Sequence, residues 1–156
     1  MFKKIMICLD GTKLAEQILP YARLAALCGS KVVLLQVVEL AKVLPPASMP
    51  AFAPTYFSNE EVEEQIEGVE SKADSYLERH AKSLREEGIS VECVVLEGIP
   101  GEIIVSYAEQ NGVDLIAIAT HGRGGLGRIA FGSVADFVLK KTGFPVLLIK
   151  PKHIEP

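Results

Sequence analysis

The chain contains no apolar run long enough to span a bilayer, no metal-type cysteine spacing and no surplus of positive charge. Its longest apolar runs, such as Val32 to Leu35 and Leu115 to Ala119, fall far short of the ~20 residues that a crossing requires. Membrane contact is therefore not expected. The start, Met1-Phe2-Lys3-Lys4-Ile5, enters a strand-like run directly and has neither a long apolar stretch nor a small-residue cleavage site, so the expected location is the cytoplasm. Cys8, Cys28 and Cys93 form no CxxC or CxxH pair and each sits in an apolar pattern, which reads as buried, reduced thiols. With 16 Lys and Arg against 20 Asp and Glu, the net charge is -4. That balance argues against nucleic acid as a partner, because polyphosphate binding relies on many cations. Any anion bound here should be small and held locally.

What is present is the composition of a folded domain. Of 156 residues, 49% are hydrophobic and 23% charged, close to the globular average. A chain of this size buries roughly 70% of its unfolded surface, and no internal repeat divides it. A single domain over residues 1–156 is expected.

Short apolar strand signals occur at Ile5 to Leu9, Val32 to Val38, Val91 to Leu96, Leu115 to Ala119 and Val146 to Ile149. Most lack polar alternation, as suits strands covered on both faces. Helix-like stretches lie between them, at Thr12 to Cys28, Asn59 to Glu87, Gly101 to Gln110 and Ser133 to Lys141. Gly29 and Gly88 follow the first two, Pro100 precedes the third, and Lys140 and Lys141 lie in the last turn of the fourth. The alternation predicts an α/β fold: a doubly wound, five-stranded parallel sheet with helices on both faces and strand order 3-2-1-4-5. Strands 1 and 4 then lie side by side, and ligands of such sheets bind beyond the strand ends at that reversal. Attention falls on the residues just after Leu9 and Ala119.

The stretch 39–58 holds four of the nine prolines, Pro45, Pro46, Pro50 and Pro54. It reads as a loop, longer than the roughly 12–15 residues usual in compact domains, and it leaves strand 2 beside the expected pocket. A lid or a partner contact is one reading, plain disorder another.

The segment Thr120-His121-Gly122-Arg123-Gly124-Gly125-Leu126-Gly127-Arg128 carries four of the 13 glycines. Glycines let backbone N–H groups close on an anion, and the helix that follows adds unpaired N–H groups and partial positive charge. Phosphate is the natural ligand. Ser133 can serve as a helix cap or as a hydroxyl donor to phosphate. Arg123 and Arg128 add charge-assisted contacts or are solvated loop charges. Gly122, Gly124 and Gly127 spell GxGxxG, but after strand 4 and without an acid about 20 residues on, so the dinucleotide fingerprint does not apply. Gly122 and Gly127 have Walker spacing, yet Arg128-Ile129 stand where Lys and then Ser or Thr are needed.

Gly122, nine residues, then Gly132-Ser133, preceded by Ala119-Thr120-His121, resembles the nucleotide-binding loop of the universal stress protein family. That loop is written as Gly, two residues, Gly, nine residues, Gly, then Ser or Thr; Ala119 stands here at the first glycine. The resemblance extends through Leu9-Asp10-Gly11-Thr12, Gly98-Ile99-Pro100, Val113-Asp114-Leu115-Ile116 and Pro145-Val146-Leu147. It implies an ATP-binding protein, with ADP or AMP as alternatives and Mg²⁺ accompanying a triphosphate. Asp10 and Leu9 would border the adenosine, and the Val37 backbone would meet the adenine edge. Ile118 and Ala119 would face ribose and phosphate, while Gly122, Gly132, Ser133 and Val134 would hold the phosphates through backbone N–H groups and the Ser133 hydroxyl; Arg123 is the candidate that the loop's own charge adds. It also implies a homodimer paired through Val146 to Ile149, covering an apolar sheet edge.

Plainer roles stand beside these. Asp10 also suits a helix cap. His121, His80 and His153 have no metal spacing, and the run of Glu60, Glu61, Glu63, Glu64, Glu67 and Glu70 reads as a solvated helix face. Three functions are open: a nucleotide-responsive binding protein in stress response, an ATP-dependent hydrolase or transferase, and a nucleotide-free dimeric module. The absence of dedicated hydrolytic residues favours the first.

Overall fold

Along the first strand successive side chains point to opposite faces: Ile5, Ile7 and Leu9 to one, Met6 and Cys8 to the other, and none is more than 7% exposed. A strand dry on both sides belongs in the middle of a sheet. The computed structural model describes residues 2–26, 29–40, 59–120 and 132–152 and places it there. The strands are β1 (Lys4–Leu9), β2 (Lys31–Val38), β3 (Val91–Glu97), β4 (Leu115–Ala119) and β5 (Val146–Ile149). All pair in parallel, in the order β3-β2-β1-β4-β5. The expected topology is therefore observed.

The helices are α1 (Lys13–Glu16), α2 (Leu19–Ala26), α3 (Asn59–Glu86), α4 (Pro100–Gln110) and α5 (Ser133–Lys141). Ala15, Ile18, Ala22, Tyr76, Leu77 and Ala81 cover the face carrying Ile5, Ile7 and Leu9. Ile104, Ala108, Ala135 and Val138 cover the face carrying Met6 and Cys8. α1, which follows β1, and α5, which follows β4, lie on opposite faces, so the chain leaves the sheet in opposite directions at the β1–β4 boundary.

One expected element is corrected. The single helix over Thr12 to Cys28 is two helices, with Gln17 closing α1 and α2 beginning at Leu19. Pro20 is the cause: it has no N–H to donate to Glu16, and its ring crowds that carbonyl. The apolar spacing continues through the break, which hid it. Gln17, released from the helix, turns its side chain to the far end of the chain. Its Nε2 donates to the Lys152 carbonyl at 2.8 Å and its Oε1 accepts from the Lys152 N–H at 2.9 Å, as a neighbouring strand would.

Two further contacts fix the frame. Asp114, just before β4, accepts at Oδ2 from the N–H of Lys3 at 2.7 Å and of Lys4 at 2.9 Å, which sets the start of β1 beside β4. Gly101 lies under the Phe137 ring, where an added Cβ would stand 2.7 Å from a ring carbon; α4 and α5 approach this closely because the side chain is missing.

The acidic run of α3 follows expectation except at Glu70. Glu60, Glu61, Glu63, Glu64 and Glu67 are exposed, whereas a hydrogen bond with Glu97 raises the Glu70 carboxyl above its usual range.

These contacts give two expectations. Gly101→Ala should destabilise by about 1–3 kcal/mol through overpacking, whereas Gly68→Ala, in an open position on α3, should stabilise by about 0.5–1 kcal/mol; urea unfolding midpoints measure both. The backbone bonds from Lys4 and Lys3 hold the Asp114 carboxyl below its usual range. A depressed folded pKa adds stability above the unfolded carboxylate range, and that stability is lost as pH falls through the folded value. The stability gap between the native protein and Asp114→Asn should accordingly be widest near neutrality and close in acid, as followed by denaturation at a series of pH values.

Candidate functional site

The carboxyl ends of β1, β2 and β4 enclose a cavity of about 420 Å³. Six of the residues singled out in the sequence line it together: Leu9, Asp10, Val37, Ile118, Ala119 and Val134. Gly132 and Ser133 stand at the head of α5, immediately before Val134. Gly122 and Arg123 lie outside the described residues, as do Cys28, His121, Arg128 and all of the stretch 39–58 except Glu39 and Leu40.

The two caps differ from expectation. Asp10 does not cap the first helix; Thr12 does, its Oγ1 accepting from the Ala15 N–H at 3.2 Å. Asp10 supports that cap from one step back, with Oδ1 accepting from the Thr12 N–H at 3.0 Å and from its hydroxyl at 2.7 Å. The Asp10 carboxylate is thus held at the cavity wall by a local Asx-type turn. Ser133 likewise is not the cap of α5. Gly132 holds that position with no side-chain cap bond, and Ser133, the first helical residue, is exposed. Among the described residues no side chain caps the first-turn N–H groups of α5, which lie beside Val134 on the cavity wall.

The strand ends are unequal, and this shapes the site. The last β1–β2 pair is Leu9 with Gln36, whereas β2 continues against β3 through Val37 with Leu96 and Val38 with Glu97. In a parallel ladder the main-chain groups of successive residues face alternate neighbours. Lys31 donates toward β1, at the Lys3 carbonyl, and Val32 toward β3, at the Ser90 carbonyl. By that alternation the Val37 carbonyl faces beyond the end of β1. A main-chain acceptor is thereby presented at an apolar wall.

The cavity is mainly apolar. Cys8 forms part of its floor, and burial pushes its thiol up to about 12. Cys93 is also free, its thiol raised to about 12 by burial and then by the Glu78 hydrogen bond. No Lys or Arg is among the described lining residues, while Asp10 and Glu39 are. Among the described residues no group of three His, Cys, Asp or Glu is placed to hold a metal ion, and none of their helices is long and apolar enough to cross a membrane.

The sequence reading missed Gln36. It lines the cavity, its Nε2 lies 3.7 Å from where a Cβ on Gly11 would stand, and its Oε1 is buried with no hydrogen-bond partner among the described residues. One signal was available: Gln36 is the sole polar residue in the run from Val32 to Val38.

Comparison with known proteins agrees with this architecture. The model of the universal stress protein family matches residues 1–150. Universal stress protein MJ0577 of Methanocaldococcus jannaschii is 32% identical over 158 residues, covering 98% of each chain; its solved structure superposes with a TM-score of 0.80 at 31% identity, covering 99% of each. The chain belongs to the universal stress protein family. Two more distant structures share the fold. One is the Arabidopsis thaliana family protein At3g01520, solved with AMP bound (TM-score 0.67, 18% identity, 96% of this chain and 92% of that one). The other is a universal stress protein in complex with cAMP (TM-score 0.63, 17% identity, 97% and 98%).

The raised thiols give an expected outcome. Iodoacetamide at pH 8 should leave Cys8 and Cys93 unmodified in the folded protein and alkylate both in guanidinium, because the thiolate is the reactive form; peptide mass spectrometry reads the result.

Proposed function

We propose that this protein binds an adenine nucleotide, ATP foremost, and acts in stress response as a regulatory protein whose surface changes with occupancy. The observation that carries this reading is the Val37 carbonyl, left facing the cavity where β1 stops one pair short of it. An adenine amino group is a donor that such an edge accepts, and Leu9 and Ile118 offer apolar walls for the base and sugar. Gly132, Ser133 and Val134 at the head of α5 supply N–H groups and helix-dipole charge for the phosphates. Gly122 and Arg123 complete that phosphate site in this reading. Ala119 takes the place of the first motif glycine beside it. A triphosphate brings Mg²⁺ on its own oxygens, with water completing the coordination. AMP- and cAMP-bound family structures lend support to the ligand class.

The residues that line the cavity favour binding over turnover. Asp10 is a carboxylate at the wall, its Oδ1 engaged with Thr12, and no His, Lys or Arg stands with it among the described lining residues. The protein is read as one domain over 1–156, acting in the cytoplasm. The second copy of a homodimer pairs along β5, whose outer side meets no described strand.

Calorimetric titration tests the proposal. ATP with Mg²⁺ should saturate one site per chain at micromolar concentration, and a folded Gly122→Val variant should give flat heats. Turnover should stay well below the roughly 1 per second at which typical enzyme rates begin. Flat heats for the native protein would overturn nucleotide binding, and turnover at or above that rate would make the protein an enzyme.

A further inference from the structure

Gln36 is out of keeping with its strand. Val32 and Leu34, which share its face of β2, are at most 1% exposed and belong to the core under α1 to α3. An apolar residue at position 36 would extend that core. The amide that stands there instead keeps Oε1 buried without a partner among the described residues, an arrangement that costs free energy because the lost hydration is not replaced. Native chains concentrate such local conflicts at functional positions.

Its placement narrows the ligand group that answers it. Gln36 is the register partner of Leu9, at the point where β1 ends. It lines the same cavity as its neighbour Val37 and, across β1, as Ala119 and Val134 at the head of α5. Asp10 and Gly11 follow directly, and the Gln36 Nε2 lies against Gly11. With the base amino group on Val37 and the phosphates at α5, the part of a nucleotide that still offers hydrogen-bond donors to this cavity is the ribose. Its hydroxyls are donors, and Oε1 is an acceptor in need of one. The terminal amide torsion is broad, so rotation about it can turn the oxygen toward the cavity that the residue already lines.

We infer that Gln36 is a specificity-determining residue that accepts a hydrogen bond from a ribose hydroxyl and so selects ribonucleotides over their deoxy counterparts. This rests on the nucleotide-binding reading and adds the identity of the sugar contact. The acceptor is kept at the expense of the empty protein's stability and is satisfied when the sugar arrives.

The test is a titration of the native protein and Gln36→Leu with ATP, 2′-deoxyATP and 3′-deoxyATP, each with Mg²⁺, alongside thermal melting without ligand. The native protein should bind one of the deoxy analogues about tenfold more weakly than ATP, the loss expected when a buried acceptor goes unmet. Gln36→Leu should lose that preference, bind ATP about tenfold more weakly, and melt at the native temperature or above when empty. Native protein that binds all three nucleotides within twofold overturns the inference without recourse to any variant. So does a Gln36→Leu protein that keeps the native preference. Native protein that binds none of the three overturns the nucleotide reading itself, a result distinct from both.

Discussion

The site exists because β1 stops at Leu9 while β2 runs on to Val38. β1 is the central strand, paired with β2 on one side and β4 on the other, and its side chains are dry on both faces. It cannot slip by one residue without exchanging Ile5, Ile7 and Leu9 for Met6 and Cys8 against helices shaped for the other set. Asp114 fixes its start from β4, and the Lys31 N–H bond to the Lys3 carbonyl, 2.8 Å long, fixes it from β2. With start and register set, the end at Leu9 is set too, and with it the bare stretch of β2 main chain. The crevice then opens where α1 and α5 leave the sheet toward opposite layers.

Much of this was legible in the sequence because the determining residues are apolar runs in alternation. The strands flanking the reversal announce themselves as unbroken apolar runs, Ile5 to Leu9 and Leu115 to Ala119, and the boundaries of β4, β5 and α5 follow from abrupt changes in composition. The site followed by topology: once β1 and β4 are neighbours, Leu9, Asp10, Ile118 and Ala119 must meet. The illegible parts are those in which a local rule competes with periodicity. Pro20 stops a helix whose apolar spacing runs on through it. Thr12 takes the cap from Asp10 because the Asp10 side chain is already folded back onto the Thr12 hydroxyl and N–H. Gly132 takes the cap position from Ser133 by one residue. Gln36 was absorbed into an apolar run, since its burial depends on where β1 ends and that is a property of the pairing.

The break at Pro20 connects two regions that a continuous helix would keep apart. α1 is four residues long, far too short to be stable alone, and it is held by its surroundings. Thr12 caps it, Ala15 packs into the core beside the cavity, and Gln17 ties its end to Lys152. Lys152 follows β5, the strand at the sheet edge. A displacement of the Asp10 to Thr12 turn is therefore resisted from both ends of α1. The turn's own bonds are made without ligand, so in the proposed nucleotide complex little ordering would be left to induce at Asp10, and less binding free energy would be spent on it.

Charge is arranged to match this geometry. The chain is net negative, and the described lining of the cavity adds Asp10 and Glu39 without a cation. A net negative charge does not draw an anionic ligand from a distance, and surface charges are screened within about 8 Å at physiological salt. In the proposed complex, affinity for a phosphate would come from contacts made at close range: backbone N–H groups, a helix dipole that acts within its first turn, Arg123 beside them, and cations carried on the ligand itself. The apolar and hydrogen-bonding end of the cavity would have to recognise the nucleoside. A site built this way discriminates by the shape and donor pattern of the ligand more than by its charge, and this is the property that a nucleotide-reading protein needs in the presence of abundant free phosphate.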